Sequence, residues 1–390
     1  MQMINWRRGV HVACVALFVF AGASCASPAS RAGAQGLPSK LADSTFWRLV
    51  TDVSEPGGFF RSDNFVSNEI TFQYVIPELK KSTAQGGVYL GVGPDQNFTY
   101  IIALRPKIAF IFDIRRQNML QHLLYKALIE RSADRAEFIS RLFSRPRPPK
   151  LDGNASADTL FATFDKISAD SAFFQKNVAM VTDQLVKRHG FALSADDLRA
   201  IEYVYTAFFI GGPELTYSFA APGSGAPGMG MFGRRMPTFE SLMIENDGQG
   251  EQRSYLASEA NFRVLRDMET NNLLVPVVGD FAGDKAIRTV GQYLKQHNAT
   301  VTAFYLSNVE QYLFRQNDDW KKFFTNVGAL PLDASSTFIR SVFNFSGGFR
   351  DTLPRGGPRS TTMLASMAQQ VRAFTDGRLQ TYFDVVQTSR

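Results

Sequence analysis

The chain has 390 residues, with 42 Lys and Arg against 36 Asp and Glu, a net charge of +6, and a hydrophobic fraction of 45%. This is an ordinary globular composition, long enough for one large domain or two small ones, and without a lysine-rich run it gives little support to nucleic-acid binding. Both cysteines, Cys14 and Cys25, precede residue 26, which leaves no internal disulfide or thiol nucleophile in the body. The histidines His11, His122, His189 and His297 lack ligand spacing, so no metal site is expected.

Residues 1–25 read as a signal peptide. Arg7-Arg8 is a basic start, Val10 to Phe20 is an apolar run too short to span a bilayer, and Ala21-Gly22-Ala23 fits a cleavage site. Export to the periplasm or the exterior is the expectation. Cys25 offers a second processing route, a lipoprotein tethered to the membrane, although Gly22 stands where that signal usually has Leu. The plainer alternative is a misread start codon or a buried amphipathic segment. Residues 26–44, rich in Ala, Ser and Gly, read as a flexible tether.

Residues 45–132 form the first part of the expected sheet domain. Thr45 to Val53 is a short helix ended by Glu55-Pro56-Gly57-Gly58, and Asn64 to Lys80 is a longer one. Its polar start, including Asn64, Asn68 and Glu69, could reach a ligand; the plainer reading is that Asp63 caps the helix. Val88, Tyr89 and Leu90 then run as a strand into Gly91-Val92-Gly93. A helix follows from about Asp95 to Ala103, and Ile108 to Phe112 is a second strand closed by Asp113. Gly93 and Asp113 lie about 20 residues apart, the separation a nucleotide-binding βαβ unit needs. Asp113 could accept from two ribose hydroxyls or cap the next helix.

Leu120, Leu123, Leu124, Ala127 and Leu128 mark that helix. Residues 133–270 read as a helical insertion or cap, with Ser194 capping Leu198 onward. Within it lies a Gly/Pro/Met loop, 221–237, of the length of an active-site lid or of a disordered segment. Residues 271–390 return to the sheet. Leu273 to Val278 is a strand ending at Gly279-Asp280, residues 286–294 a helix, and Thr300 to Leu306 a strand ending at Ser307-Asn308-Val309-Glu310. A helix then continues to about Phe324, Thr337 to Phe345 is a late strand, and Met363, Leu364, Met367, Val371 and Phe374 mark a closing helix. Alternating strands and helices predict an α/β fold, Rossmann-like, with a mostly parallel sheet and helices on both faces.

The stretches Gly91-Val92-Gly93-Pro94-Asp95-Gln96-Asn97 and Phe110-Ile111-Phe112-Asp113-Ile114-Arg115 resemble the first two motifs of class I S-adenosylmethionine-dependent methyltransferases. Together with Tyr305 to Glu310 they are also similar to a small uncharacterised bacterial family with a methyltransferase-like Rossmann domain. The third glycine of the dinucleotide pattern is replaced by Gln96, which the methyltransferases tolerate. The resemblance implies an adenosyl cofactor, S-adenosylmethionine, held by Gly91, Gly93, Asp95, Asn97 and Asp113 with Asn64 and Asn68 above it.

Ligands in such sheets sit beyond the carboxyl ends of the strands, so Ser307, Asn308 and Asp280 are the candidate catalytic residues. Ser307 to Glu310 also reads as a capping box and Asp280 as a turn residue. Methyl transfer needs an aligned nucleophile more than acid–base groups, so the acceptor, a small-molecule ligand, is not legible. Export conflicts with a cofactor made in the cytosol. A non-catalytic extracytoplasmic binding or structural protein is therefore the alternative, and a nicotinamide-dependent oxidoreductase is a third reading.

Overall fold

Six runs rich in aliphatic, β-branched and aromatic residues form one sheet: β1 Val88–Val92, β2 Ile108–Asp113, β3 Leu274–Val278, β4 Val301–Ser307, β5 Thr337–Phe343 and β6 Ser360–Ser366. The computed structural model describes residues 36–218, 236–343 and 360–390. The expected signal peptide, both cysteines, tether residues 26–35, loop residues 221–235 and strand residues 344–345 lie outside the described residues.

The strand order is β3-β2-β1-β4-β5-β6. All pairs are parallel except β5 with β6. β1 to β3 are buried along their whole length, as expected of strands covered by helices on both faces. The fold is therefore Rossmann-like, as the alternating sequence predicts. Pro276 is tolerated in β3 because that strand is a sheet edge. Between β2 and β3 the described chain is helical, from Arg116–Glu130 to Glu259–Thr270. Its apolar side chains join those of the sheet in one core.

Three expected elements differ. The helix expected from Asn64 to Lys80 is a short 3-10 turn, Ile70–Gln73, followed by a helix Ile76–Ser82. Asn64 sits at φ +52, a left-handed conformation that does not propagate a helix, and Pro77 lacks the N–H that a preceding turn would require. The helix expected after β4 is two helices, Val309–Leu313 and Asp319–Gly328. Asn317 interrupts them at φ +33, and Phe314 stacks on Trp320 with ring centroids 4.9 Å apart. Met363 and Leu364, assigned to the closing helix, lie in β6, and the helix is Met367–Thr375. Thr361 and Thr362 favour an extended chain, and β5 offers an open edge for it to pair with.

Charged pairs tie the helices to one another. Lys126 Nζ lies 2.7 Å from Glu130 and 3.9 Å from Glu269. The His189 ring lies between two carboxylates, with Nδ1 2.9 Å from Asp43 and Nε2 2.6 Å from Glu130. Carboxylates only accept, so both contacts together require the doubly protonated imidazolium. Burial opposes that charge, but Glu130 and Asp43 outweigh it and raise the His189 pKa above its ordinary value. A raised folded-state pKa gives stability that is full below about pH 6.5, the unfolded value, and is lost as pH rises through the folded one. His189→Gln should therefore lower the urea midpoint clearly at pH 5.5 and much less at pH 9. An equal loss at both pH values would contradict the imidazolium assignment.

Candidate functional site

The strand order reverses between β1 and β4, the place where open α/β sheets bind ligands. The carboxyl ends of β1 to β4 share one edge. Gly93 N–H donates to Phe112 O (3.2 Å), and Gly279 N–H to Asp113 O (2.9 Å). At that edge opens a cleft of about 190 Å³. It is walled by the segment Asn64–Asn68, the glycine turn, and the turns after β2, β3 and β4.

Of the expected site residues, Asn64, Asn68, Gly93, Asp113, Asp280, Ser307 and Asn308 line this cleft. Gly91, Asp95 and Asn97 do not. Asn97 is fully buried and holds the turn from behind, its Nδ2 donating to Val92 O (2.9 Å) and Pro94 O (2.7 Å) while its Oδ1 accepts from Tyr89 OH (2.8 Å). The space beside Gly91 belongs to that amide, since a Cβ there would collide with Asn97 Oδ1. Asp95 accepts from Tyr255 OH (2.8 Å) inside the core, and burial pushes its carboxyl up to about 7. These three residues shape the loop from behind. The turn is also braced by His122, whose Nε2 donates to Gly93 O (2.9 Å). Burial lowers the His122 pKa to about 4, so the ring is neutral.

Asp113 is already engaged. Its Oδ1 accepts from Arg115 N (2.9 Å) and Nε (3.0 Å), and its Oδ2 from Nη2 (2.9 Å). It does not cap the following helix. A carboxylate has about four acceptor sites, so one remains on Oδ2, where the sequence suggested room for two ribose bonds. Arg115 also donates to Ser62 O (2.9 Å) and Asp63 O, fixing the start of the Asn64–Asn68 wall.

Asp280 is set by Glu55, which accepts from the N–H groups of Asp280 (3.0 Å), Lys285 (3.0 Å) and Ala286 (2.8 Å). Asp280 Oδ1 accepts from Ala282 N (2.9 Å), so the turn reading of Asp280 also holds. The capping box expected at Ser307 to Glu310 is not formed. Asn308 precedes the helix without a side-chain cap, Glu310 pairs with Arg340, and Ser307 Oγ donates to Glu69.

The sequence reading had not placed Tyr305, Gln96, Phe60, Tyr217 or Tyr312 in the site as side chains, yet all five line the cleft. Gln96 Nε2 donates to Tyr305 OH, so the side chain standing for the third glycine bridges the helix to β4. Phe60 meets Tyr312 edge to face at 5.5 Å. Aromatic residues give no separate sequence signal, because they satisfy the same hydrophobic pattern as core residues.

Among the described residues lining the cleft there is no Lys, Arg or His, while Asp113 and Asp280 are both present. Gln96 Oε1 and Asn64 Oδ1 are buried acceptors without a partner. The cleft thus suits a ligand rich in hydrogen-bond donors, and it offers no cationic side chain to a diphosphate.

No curated protein matches this chain. A family described as a domain of unknown function (DUF7790) matches residues 64–148 and 235–375, more than half of the chain. The match takes in all six strands. It also contains every cleft-lining residue except Phe59, Phe60 and Tyr217. The chain belongs to this domain family of unknown function.

Proposed function

We propose that the cleft binds S-adenosylmethionine and that the protein transfers its methyl group to a small acceptor. The observation that carries this reading is the pairing of a glycine turn and Asp113 with a lining that holds carboxylates and no cationic side chain. A sulfonium is tolerated by such a lining, whereas the pyrophosphate of a nicotinamide dinucleotide would find no cationic side chain in it. Gln96 strengthens the distinction, since its side chain fills the place where the dinucleotide pattern requires glycine.

Bound there, the cofactor supplies an electrophilic methyl group. The free acceptor site on Asp113 Oδ2 takes one ribose hydroxyl, Gly93 allows close approach of the backbone, and Asp280 accepts from the adenine amine. Phe60, Tyr217 and Tyr312 exclude water from the mouth.

A charge-assisted hydrogen bond contributes about 1.5–3 kcal/mol. Asp113→Asn keeps the shape and loses the charge, and should weaken S-adenosylmethionine binding by roughly 10- to 100-fold in titration calorimetry. Tight binding insensitive to this change would refute the ribose contact. The Asp113–Arg115 pair supports a second reading, in which the carboxylate is structural and the protein is a non-catalytic binding protein. Failure of S-adenosylmethionine, S-adenosylhomocysteine and NAD to bind at millimolar concentration would favour it.

A further inference from the structure

Glu69 is fully buried next to the cleft wall. Its Oε2 accepts from Tyr305 OH (2.8 Å), and its Oε1 accepts from Ser307 Oγ. Ser341 is a third hydroxyl beside it. The ionisable groups closest to it are Tyr305 on β4, Tyr89 on β1 and Tyr100 on the helix Gln96–Leu104. No Lys, Arg or His offsets its charge among the described residues.

A buried carboxylate without a cation is costly, and a glutamine would satisfy the same hydroxyls more cheaply. Such a group beside a cleft is a mark of chemistry. The backbone agrees. Ser307 stands at φ +51, and the pairing of β4 with β5 is irregular between Tyr305 and Ser307. Irregularities of this kind re-aim side chains next to ligand sites. Ser307 and Tyr305 both line the cleft, and both reach Glu69.

We propose that Ser307 takes the proton of the bound methyl acceptor while passing its own hydroxyl proton to Glu69, which makes the acceptor a protic nucleophile, an amine or a hydroxyl compound. The proposal rests on the methyl-transfer reading. The acceptor's N–H or O–H bond breaks and its proton goes to Ser307 Oγ, while the Ser307 proton goes to Glu69 Oε1. The acceptor's electron pair bonds to the methyl carbon, and the carbon–sulfur pair stays on sulfur. Glu69 thereby ends neutral, the acceptor is methylated and the sulfonium becomes a sulfide. Glu69 acts through Ser307 and is a positioning residue. Burial raises its carboxyl above the usual range, and the hydroxyl donors partly offset this, which keeps it basic enough to receive a proton.

The test is titration calorimetry of the whole protein with S-adenosylmethionine and with S-adenosylhomocysteine, in buffers of different ionisation enthalpy, from pH 5 to 8. The sulfonium should expel a proton from the fraction of Glu69 that is protonated, so the wild type should release protons with the first ligand and markedly fewer with the second. Glu69→Gln should release no proton and should bind S-adenosylmethionine more weakly than the wild type does at pH 8, with S-adenosylhomocysteine binding much less affected. Ser307→Ala removes one hydroxyl donor from Glu69 and should move the maximum of proton release to higher pH. Release unchanged in Glu69→Gln, or a maximum unmoved in Ser307→Ala, would overturn the relay while leaving the adenosyl site intact. Failure of both compounds to bind the wild type would overturn the methyl-transfer reading, and the relay with it. If Glu69→Gln does not fold, the Ser307→Ala titration decides alone.

Discussion

Replacing Arg340 with Met should cost about 3–5 kcal/mol of folding stability, the loss typical of breaking a buried ion pair by removing one partner. Arg340 and Glu310 are both fully buried. Arg340 Nε lies 2.7 Å from Glu310 Oε2 and Nη2 lies 3.2 Å from Oε1. The same guanidinium donates to Gln370 Oε1 (2.7 Å) and Ser389 Oγ (2.5 Å), tying β5 to the helix Met367–Thr375 and to the last residues of the chain. Burial raises the Glu310 carboxyl even with the arginine present, so without it the group would be buried with no compensation. The double variant Arg340→Met, Glu310→Met should recover most of the loss, because it removes both desolvated charges. Urea midpoints of the wild type, both single variants and the double variant give the comparison. A single-variant loss below about 1 kcal/mol would show that the pair is not essential. Glu310 stands two residues after Asn308, so losing its partner should also loosen the β4 side of the cleft.

Gly91→Val should unfold the glycine turn, whereas Gly93→Ala should leave the fold intact and impair ligand binding. The two glycines are two residues apart and serve opposite purposes. A side chain at Gly91 would strike Asn97 Oδ1 and approach Tyr89 Cε1 to 2.8 Å. Displacing Asn97 breaks its bonds to the carbonyls of Val92 and Pro94 and orphans the buried Tyr89 hydroxyl. Each buried group left unpaired costs about 1–3 kcal/mol, so a loss of roughly 3 kcal/mol or more is expected. Gly93 has φ +80 and open space where its Cβ would stand. Alanine there meets only the backbone strain of a left-handed residue, about 1–2 kcal/mol, but places a methyl in the cleft. Thermal melting together with S-adenosylmethionine calorimetry separates the outcomes. Equal destabilisation by both variants would contradict the division of roles.

The sequence by itself determined the parallel part of the sheet. The apolar runs at β1 to β4, the glycine turn and the position of Asp113 are local signals, because strand length, turn chemistry and helix period are written in neighbouring residues. They were enough to predict a Rossmann-like fold and to bring Gly93, Asp113, Asp280 and Asn308 to one edge. β6 was hidden because Met363 and Leu364 also fit a helical period, and only the open edge of β5 decided between the two.

Tertiary structure alone decided what each polar side chain does. Asp95 and Asn97 stand in the motif beside Gly93, yet their partners Tyr255 and Tyr89 turn both into the core. Asp113 could by sequence accept from ribose hydroxyls or cap a helix, but Arg115, two residues on, folds back onto it. Glu69 and Ser307 are 238 residues apart, and no local pattern joins them. A hydrogen bond of that span depends on how strands from distant parts of the chain assemble, and periodicity carries no record of it.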